Sequence, residues 1–214
     1  MTPDPDPAAN TRPAFRAGRC ATRGVTGVSY GARMATTTYV ALLRGINVGG
    51  SNRLPMQALR ELLGGMGSAA VRTHLQSGNA LFDHAPAEPE RLAVQLRDRI
   101  ASELGLTVPC IVREAAELRG VIDRNPYDMA GVEPARFLVA FLSGPVDPDR
   151  LKDLDPAAYA PDSFRPGERE IYVHCPDGIQ KTKLSHTLWE KRLGLTATAR
   201  NWNTVTKLAE LAGV

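Results

Sequence analysis

The hydrophobic spacing of this chain changes period in a fixed order, extended, helical, extended, extended, helical, extended, and then runs through that order again. A period of two residues suits a strand and one of about 3.6 suits a helix, so this order limits the fold more than any other feature. In the first pass, Thr37 to Leu43 (TTYVALL) reads as a central strand. Pro55 then opens a helix carrying Met56, Leu59, Leu62, Leu63 and Met66. Val71 to Leu75 and Ala80 to Asp83 form a hairpin turned by Gln76 to Asn79. Leu92, Leu96, Ile100 and Leu104 stripe a helix over 88–104, with Gly105 placed for a left-handed cap, and Val108 to Val112 is a strand.

A short helix over 114–123 and the turn-prone Asn125-Pro126 lead into the second pass. Phe137 to Leu142 is a strand and 147–154 a short helix. Ser163 to Pro166 with Glu170 to His174 is a hairpin turned at Pro166-Gly167. Thr182 to Leu193 is a helix with Thr182 as its N-cap, and Thr196 to Ala199 is a strand, before a last helix over 201–211. The expected fold is α+β: two tandem ferredoxin-like βαββαβ modules plus a C-terminal helix, with modules at 36–126 and 127–214. No residue-level repeat is visible, so the duplication rests on element order.

Residues 1–35 show no periodicity and are rich in Pro, Ala, Gly, Thr and Arg, so a disordered leader is expected there. Met34, just before the first strand, is a second candidate start. The leader also explains the net charge of +3: Arg12, Arg16, Arg19, Arg23 and Arg33 face only Asp4 and Asp6, which leaves the rest neutral. The basic balance therefore implies no basic face for nucleic acid. Aromatics at 6% and the segment Ala80, Leu81, Phe82 do not supply the stacking platform of an RNA-binding sheet, so nucleic acid is a disfavoured partner. No apolar run is long enough to cross a membrane. Three cysteines without a CxxC pair, Cys20, Cys110 and Cys175, suit the cytoplasm better than a disulfide scaffold.

The segments YVALLRGINVGG (39–50), LQSGN (75–79) and TATARNWNTVTKL (196–208) resemble the signatures of the domain-of-unknown-function 1697 family of uncharacterised bacterial proteins. Thr182, Lys183, Leu184 and Ser185 fit a further pattern of that family. The likeness runs from about Thr37 to Leu211 and implies a tandem of ferredoxin-like halves. It implies no activity and no cofactor.

In a βαββαβ unit the first two strands run parallel, so the loops that follow them emerge at one end. Arg44, Asn47, Gly49 and Gly50 should then lie beside Gln76, Ser77 and Asn79, while Lys181, Lys183 and Ser185 share an end with Arg200, Asn201, Trp202 and Asn203. A glycine-rich loop with a forked cation, and lysines at a helix start, suit an anionic small molecule bearing phosphate or carboxylate. Ser51 stands where a P-loop lysine would be, so no nucleotide fingerprint is present. The alternative for the first group is a tight turn in which Asn47 satisfies main-chain amides. For the lysines it is solvation, and for Trp202 a capped core position.

His74, His84, His174 and His186 show no ligand spacing, so no metal site is expected. Neither a nucleophile elbow nor a paired Cys and His can be written, since neighbouring His174 and Cys175 alternate across a strand. Cys110 reads as core. The functional expectation is a binding protein or small enzyme for an anionic small molecule near the junction of the two modules. A nucleic-acid module using Arg44, Arg53, Lys181, Lys183 and Arg200, or an oligomerising protein without ligand, are the alternatives. The oligomeric state is not legible.

Overall fold

The computed structural model describes residues 35–49 and 52–214. The expected leader and Gly50 lie outside the described residues, apart from residue 35. Eight strands form two four-stranded antiparallel sheets accompanied by five helices. The first sheet contains β1 (Thr37–Leu43), β2 (Ala69–His74), β3 (Asn79–His84) and β4 (Cys110–Glu114) in the order β2-β3-β1-β4. The second contains β5 (Phe137–Leu142), β6 (Ser163–Pro166), β7 (Glu170–His174) and β8 (Ala197–Asn201) in the order β6-β7-β5-β8. The α-helices among the described residues are α1 (Met56–Gly65), α2 (Pro89–Leu104), α3 (Ala115–Asp123), α4 (His186–Leu193) and α5 (Trp202–Ala212). None of them is long and apolar enough to cross a membrane.

Alternation along each central strand sends its side chains into two different cores. Tyr39, Ala41 and Leu43 of β1 pack outward with Leu59, Leu63, Leu96 and Ile100 of α1 and α2. Val40 and Leu42 point inward, into a core shared with Val139 and Phe141 of β5, Leu118 of α3 and Leu208 of α5. The outer face of the second sheet is covered by α4, through Trp189 and Leu193. Both sheets are thus buried on both faces, which accounts for the continuously apolar ends of β1 and β5.

Two sequence expectations need correction. Residues 147–154 are not an α-helix but a 3-10 turn, Pro148–Leu151, followed by a second one at Pro156–Tyr159. Asp147 and Asp155 each accept a main-chain N–H two residues on, and the proline after each starts a new turn before a helix can propagate. The penultimate helix begins at His186, with Ser185 rather than Thr182 as N-cap. The Thr182 hydroxyl is taken by the Leu184 N–H in the preceding turn. Gly105 is left-handed at φ 66°, as its place after α2 predicts.

The pairing of the central strands with their neighbours coincides residue for residue in the two sheets, while β2 carries a register shift between Ala69 and Arg72. Leu43 faces Cys110 and Val40 faces Arg113 in the first; Leu142 faces Ala197 and Val139 faces Arg200 in the second. The Leu43 N–H donates to Gly78 O and the Leu142 N–H to Arg169 O; Arg44 N–H donates to Pro109 O and Ser143 N–H to Thr196 O. Arg113 and Arg200 therefore occupy equivalent positions, and each reaches into the other sheet. Arg113 donates to Leu142 O at the end of β5 and, at 3.5 Å, to Arg169 O. Arg200 donates to Leu43 O at the end of β1 (2.6 Å), Gly78 O (3.3 Å) and Ser77 O (3.4 Å).

Arg200 is 8% exposed and has no carboxylate partner among the described residues. Its remaining bonds go to Asn79 Oδ1 (2.5 Å), Thr198 Oγ1 (2.9 Å) and Ala199 O (2.8 Å). Desolvation pushes its pKa down to about 10, which still leaves it a cation at neutral pH. Arg200→Ala takes a donor away from six acceptors, of which Gly78 O keeps the Leu43 N–H, and should cost about 3 to 5 kcal/mol. A single ammonium cannot reach both sheets, so Arg200→Lys should recover less than half of that loss. Urea unfolding of the three proteins checks both expectations.

Candidate functional site

The first loop pair does come together, and its polar groups are spent on one another. Asn47, left-handed at φ 56°, donates through Nδ2 to Leu54 O (2.9 Å) and Gln76 O (2.8 Å), while its Oδ1 accepts from the Leu54 N–H (3.0 Å). Gly49 is also left-handed and exposed. The hairpin loop touches the end of β1 at Gly78, where a Cβ would meet Leu43 Cβ at 2.7 Å and Ile46 Cδ1 at 2.8 Å. Asn79 is fully buried, donating to His74 O and Ser77 Oγ and accepting from Arg200.

The second loop pair leaves one end of the second sheet, but its side chains diverge. Lys181 and Lys183 line a small cleft of about 110 Å³ with Tyr159, Asp162 and Asp177. Ser185 accepts from the Leu188 N–H as the cap of α4. Asn201 caps α5 by accepting from the Thr204 N–H and hydroxyl. Half-buried Trp202 stands edge-on to Phe137 at 5.5 Å, packed against the shared core, and Asn203 is exposed. Arg200 does not line the lysines' cleft: its bonds run to Leu43 O, Gly78 O and Asn79 Oδ1 of the first sheet.

A different concavity lies where the two sheets meet. It is an open cleft of about 240 Å³ walled by α2 and β4 on one side and by Ser143 and Thr196 on the other. Ala93, Val94 and Arg97 form the helical wall, and Cys110 to Arg113 form the strand wall. Val94 is unusually exposed for its type. Arg97 is half exposed, among the described residues holds only its neighbour Asp98, and lies close enough to the Cys110 thiol to favour its ionised form. Arg113 is held in the floor, with Glu117 at 3.3 Å. Burial and the neighbouring Arg169 lower its pKa to about 10. Glu90, at the far end, is paired with Arg169. Burial raises the Glu90 pKa, but that helix-terminal carboxylate's own main-chain bond and Arg169 together outweigh it, so the net shift is downward.

The cleft's residues are spread from position 90 to position 196, and no local motif marks them. Cys110, expected in the core, is half-buried at the rim of the core and faces the cleft. What the arrangement offers chemically is one accessible guanidinium, two hydroxyl side chains and an apolar wall. Among the described residues no group of three His, Cys, Asp or Glu side chains could hold a metal ion.

At the equivalent place on the second sheet there is an ion pair instead. Arg44, the counterpart of Ser143, donates to Glu190 Oε1 of α4 (2.5 Å) and to Ala197 O (2.8 Å), and the same Oε1 accepts from the Ala197 N–H (3.0 Å). Ala197 is the counterpart of Cys110. Burial, together with the nearby Arg44, lowers the pKa of His186 one turn earlier.

The pattern of the family described as "Protein of unknown function (DUF1697)" matches residues 36–172, and the chain belongs to that family. A solved structure described as that of conserved bacterial protein SP0830 from Streptococcus pneumoniae is similar at 23% identity and a TM-score of 0.67, covering 83% of this chain and 99% of that one. At that identity the likeness shows the fold alone. No curated protein matches.

The two described thiols are poor nucleophiles. Burial pushes Cys110 up to about 12, against a small opposing pull from Arg97, and Cys175 up to about 11. A raised thiol pKa leaves little thiolate at pH 8, so in a Cys20→Ser background both should alkylate with iodoacetamide at least about a hundredfold more slowly than free cysteine. Raising the pH from 8 to 10 should speed both, and denaturant should abolish the difference. Mass spectrometry of the alkylated peptides reads the rates.

Proposed function

We propose that this member of the DUF1697 family binds a small anionic molecule, bearing a carboxylate or phosphate, in the cleft between α2, β4 and the Ser143–Thr196 wall. The observation that carries the reading is the convergence, in one open concavity supplied by both sheets, of accessible Arg97 with two hydroxyls and an apolar wall. Its volume is below the range usual for drug-sized ligands, so the ligand is small.

Each sheet with its helices is read here as one ferredoxin-like βαββαβ module, 36–126 and 127–214, with the cleft at their junction. Support comes from the matching strand orders and the coinciding registers of β1–β4 and β5–β8. The second module departs from the pattern by replacing its first helix with two 3-10 turns. A cytoplasmic bacterial setting is part of the reading, supported by three cysteines without a pairing pattern.

The loops around Arg44, Asn47, Gly49, Gln76, Ser77 and Asn79, and around Lys181, Lys183, Ser185, Arg200, Asn201, Trp202 and Asn203, are the second candidate surface for the same class of ligand. Most of their polar groups already serve the fold, which favours the cleft. A row of phosphate-tracking cations finds less support, since Arg200 is buried and Arg44 is paired.

A thermal-shift screen over small carboxylates, inorganic phosphate, sugar phosphates and oligonucleotides tests the reading. A ligand at about a hundred times its Kd should stabilise the native state by about 2.7 kcal/mol. Arg97→Ala should remove the shift without altering the melting point of the free protein. A shift lost in Lys183→Ala or Trp202→Ala but kept in Arg97→Ala would move the site to the loops. Stabilisation by oligonucleotides alone would overturn the small-molecule assignment.

A further inference from the structure

We propose that the anionic group bound in this cleft is a single carboxylate, seated on the Cys110 N–H as the Glu190 carboxylate is seated on the Ala197 N–H. The inference rests on the cleft reading above and names the ligand class it leaves open.

The case comes from comparing equivalent positions in the two sheets. Antiparallel pairing sends alternate N–H groups of an edge strand away from their partner. In β8 the Ala197 N–H points outward in this way and donates to Glu190 Oε1, which Arg44 also binds. The chain's own carboxylate therefore satisfies the edge of β8, with one main-chain N–H and one cation as its donors. The corresponding N–H in β4 is that of Cys110, because Cys110 faces Leu43 as Ala197 faces Leu142. Its surroundings differ in two ways. Ser143 replaces Arg44, which removes the side chain that would fill the space, and the glutamate that α2 brings to the cleft, Glu90, is held by Arg169 while Ala93, Val94 and Arg97 line the helical wall.

A ligand carboxylate in that position would meet the Cys110 N–H, the Ser143 hydroxyl and the Arg97 guanidinium. The Ser143 oxygen accepts from the Thr196 N–H at 3.0 Å, and its proton is left to donate. The rest of the ligand would lie on Val94, which accounts for an exposed valine beside the cleft. A single negative charge matches what the cleft leaves open, because Glu90 and Glu117 already engage Arg169 and Arg113, and Arg97 is the accessible cation. The ligand class is a small monocarboxylate with a branched apolar body.

Isovalerate, isovaleramide and isobutyl phosphate share that body and differ in the head group. Calorimetric titration should give isovalerate a Kd about tenfold or more lower than either of the others, the loss expected when a charge-assisted bond is removed. In proton–nitrogen correlation spectra isovalerate should move the Cys110 amide. The double variant Val94→Glu with Ser143→Arg sets a carboxylate and a cation of the chain's own at the cleft, the two groups that Glu190 and Arg44 supply beside β8. It should lose isovalerate binding while melting no lower than the unaltered protein. Should the double variant fail to fold, Ser143→Ala, which adds no bulk, should still weaken isovalerate severalfold.

Equal binding of the amide and the acid, or a Cys110 amide that does not move, would overturn the carboxylate seat. Arg97-dependent binding of isobutyl phosphate without isovalerate would overturn it too, while leaving the anion-binding reading intact. If none of the three binds at millimolar concentration, both fall together.

Discussion

A guanidinium removed from water must have every N–H directed at an acceptor, and two such groups set the geometry between the sheets. Arg113 on β4 is bound to the end of β5, and Arg200 on β8 is bound to the end of β1. Main-chain carbonyls that are already fixed by strand pairing receive both. Sliding one sheet over the other by a single residue would break both sets of bonds together, so the clasp locks a register that the apolar shared core alone would leave free. Other buried polar residues follow from it: Asn79 accepts from Arg200, and Thr198 takes a second bond from the same side chain. Glu170, at the position equivalent to Asn79, lies near enough to Arg113 to favour its charged form. The close approach at Gly78 belongs to the same construction, since a side chain there would push the hairpin off the strand end that Arg200 grips.

The sequence disclosed the elements because each core-facing stripe is local. The stripe Leu92, Leu96, Ile100 and the alternation of β1 are set by neighbours within one element, and the structure keeps them. Boundaries governed by turn chemistry were harder to see. Asp147-Pro148 and Asp155-Pro156 satisfy both a helix-start pattern and a repeated 3-10 turn, and only the geometry of the following residues separates them. The clasp was illegible for a further reason. The sequence pattern ends the strands at Val112 and Ala199, just before each arginine, and sets Arg200 among the ligand-binding candidates, because a cation past a strand end carries no mark of the opposite sheet it meets. The likeness of the two sheets was hidden too, because the spacing between matching positions changes from strand to strand as loops change length, so the shared registers never align along the chain.

The loop residues singled out by composition illustrate a related difficulty. Asn47, Asn79, Asn201 and Arg200 are the residue types that bind ligands, and for the same reason they are the types that terminate helices, close turns and bridge sheets. Their bonds in the structure are to the chain itself. The cleft, by contrast, is assembled from Ala93, Val94, Cys110, Ser143 and Thr196, types that carry no signal individually. Only their convergence across the junction makes them a candidate.

That convergence occurs at an edge strand, and edge strands impose a requirement of their own. β4 and β8 each have one neighbour, so each leaves a row of main-chain groups without a strand partner. At β8 the requirement is met internally by a glutamate and an arginine that are both partly shielded from water. At β4 Ser143 stands in place of the arginine and the glutamate of the adjoining helix, Glu90, is held by Arg169, and the space beside the strand is a cleft. When two equivalent edges are treated so differently, the clasp cannot be the cause, because it is common to both. The difference lies in Ser143 against Arg44 and in the helix wall beside each strand. Those positions lie outside the shared core, where substitutions alter what an edge can accept without disturbing the register that the two arginines hold.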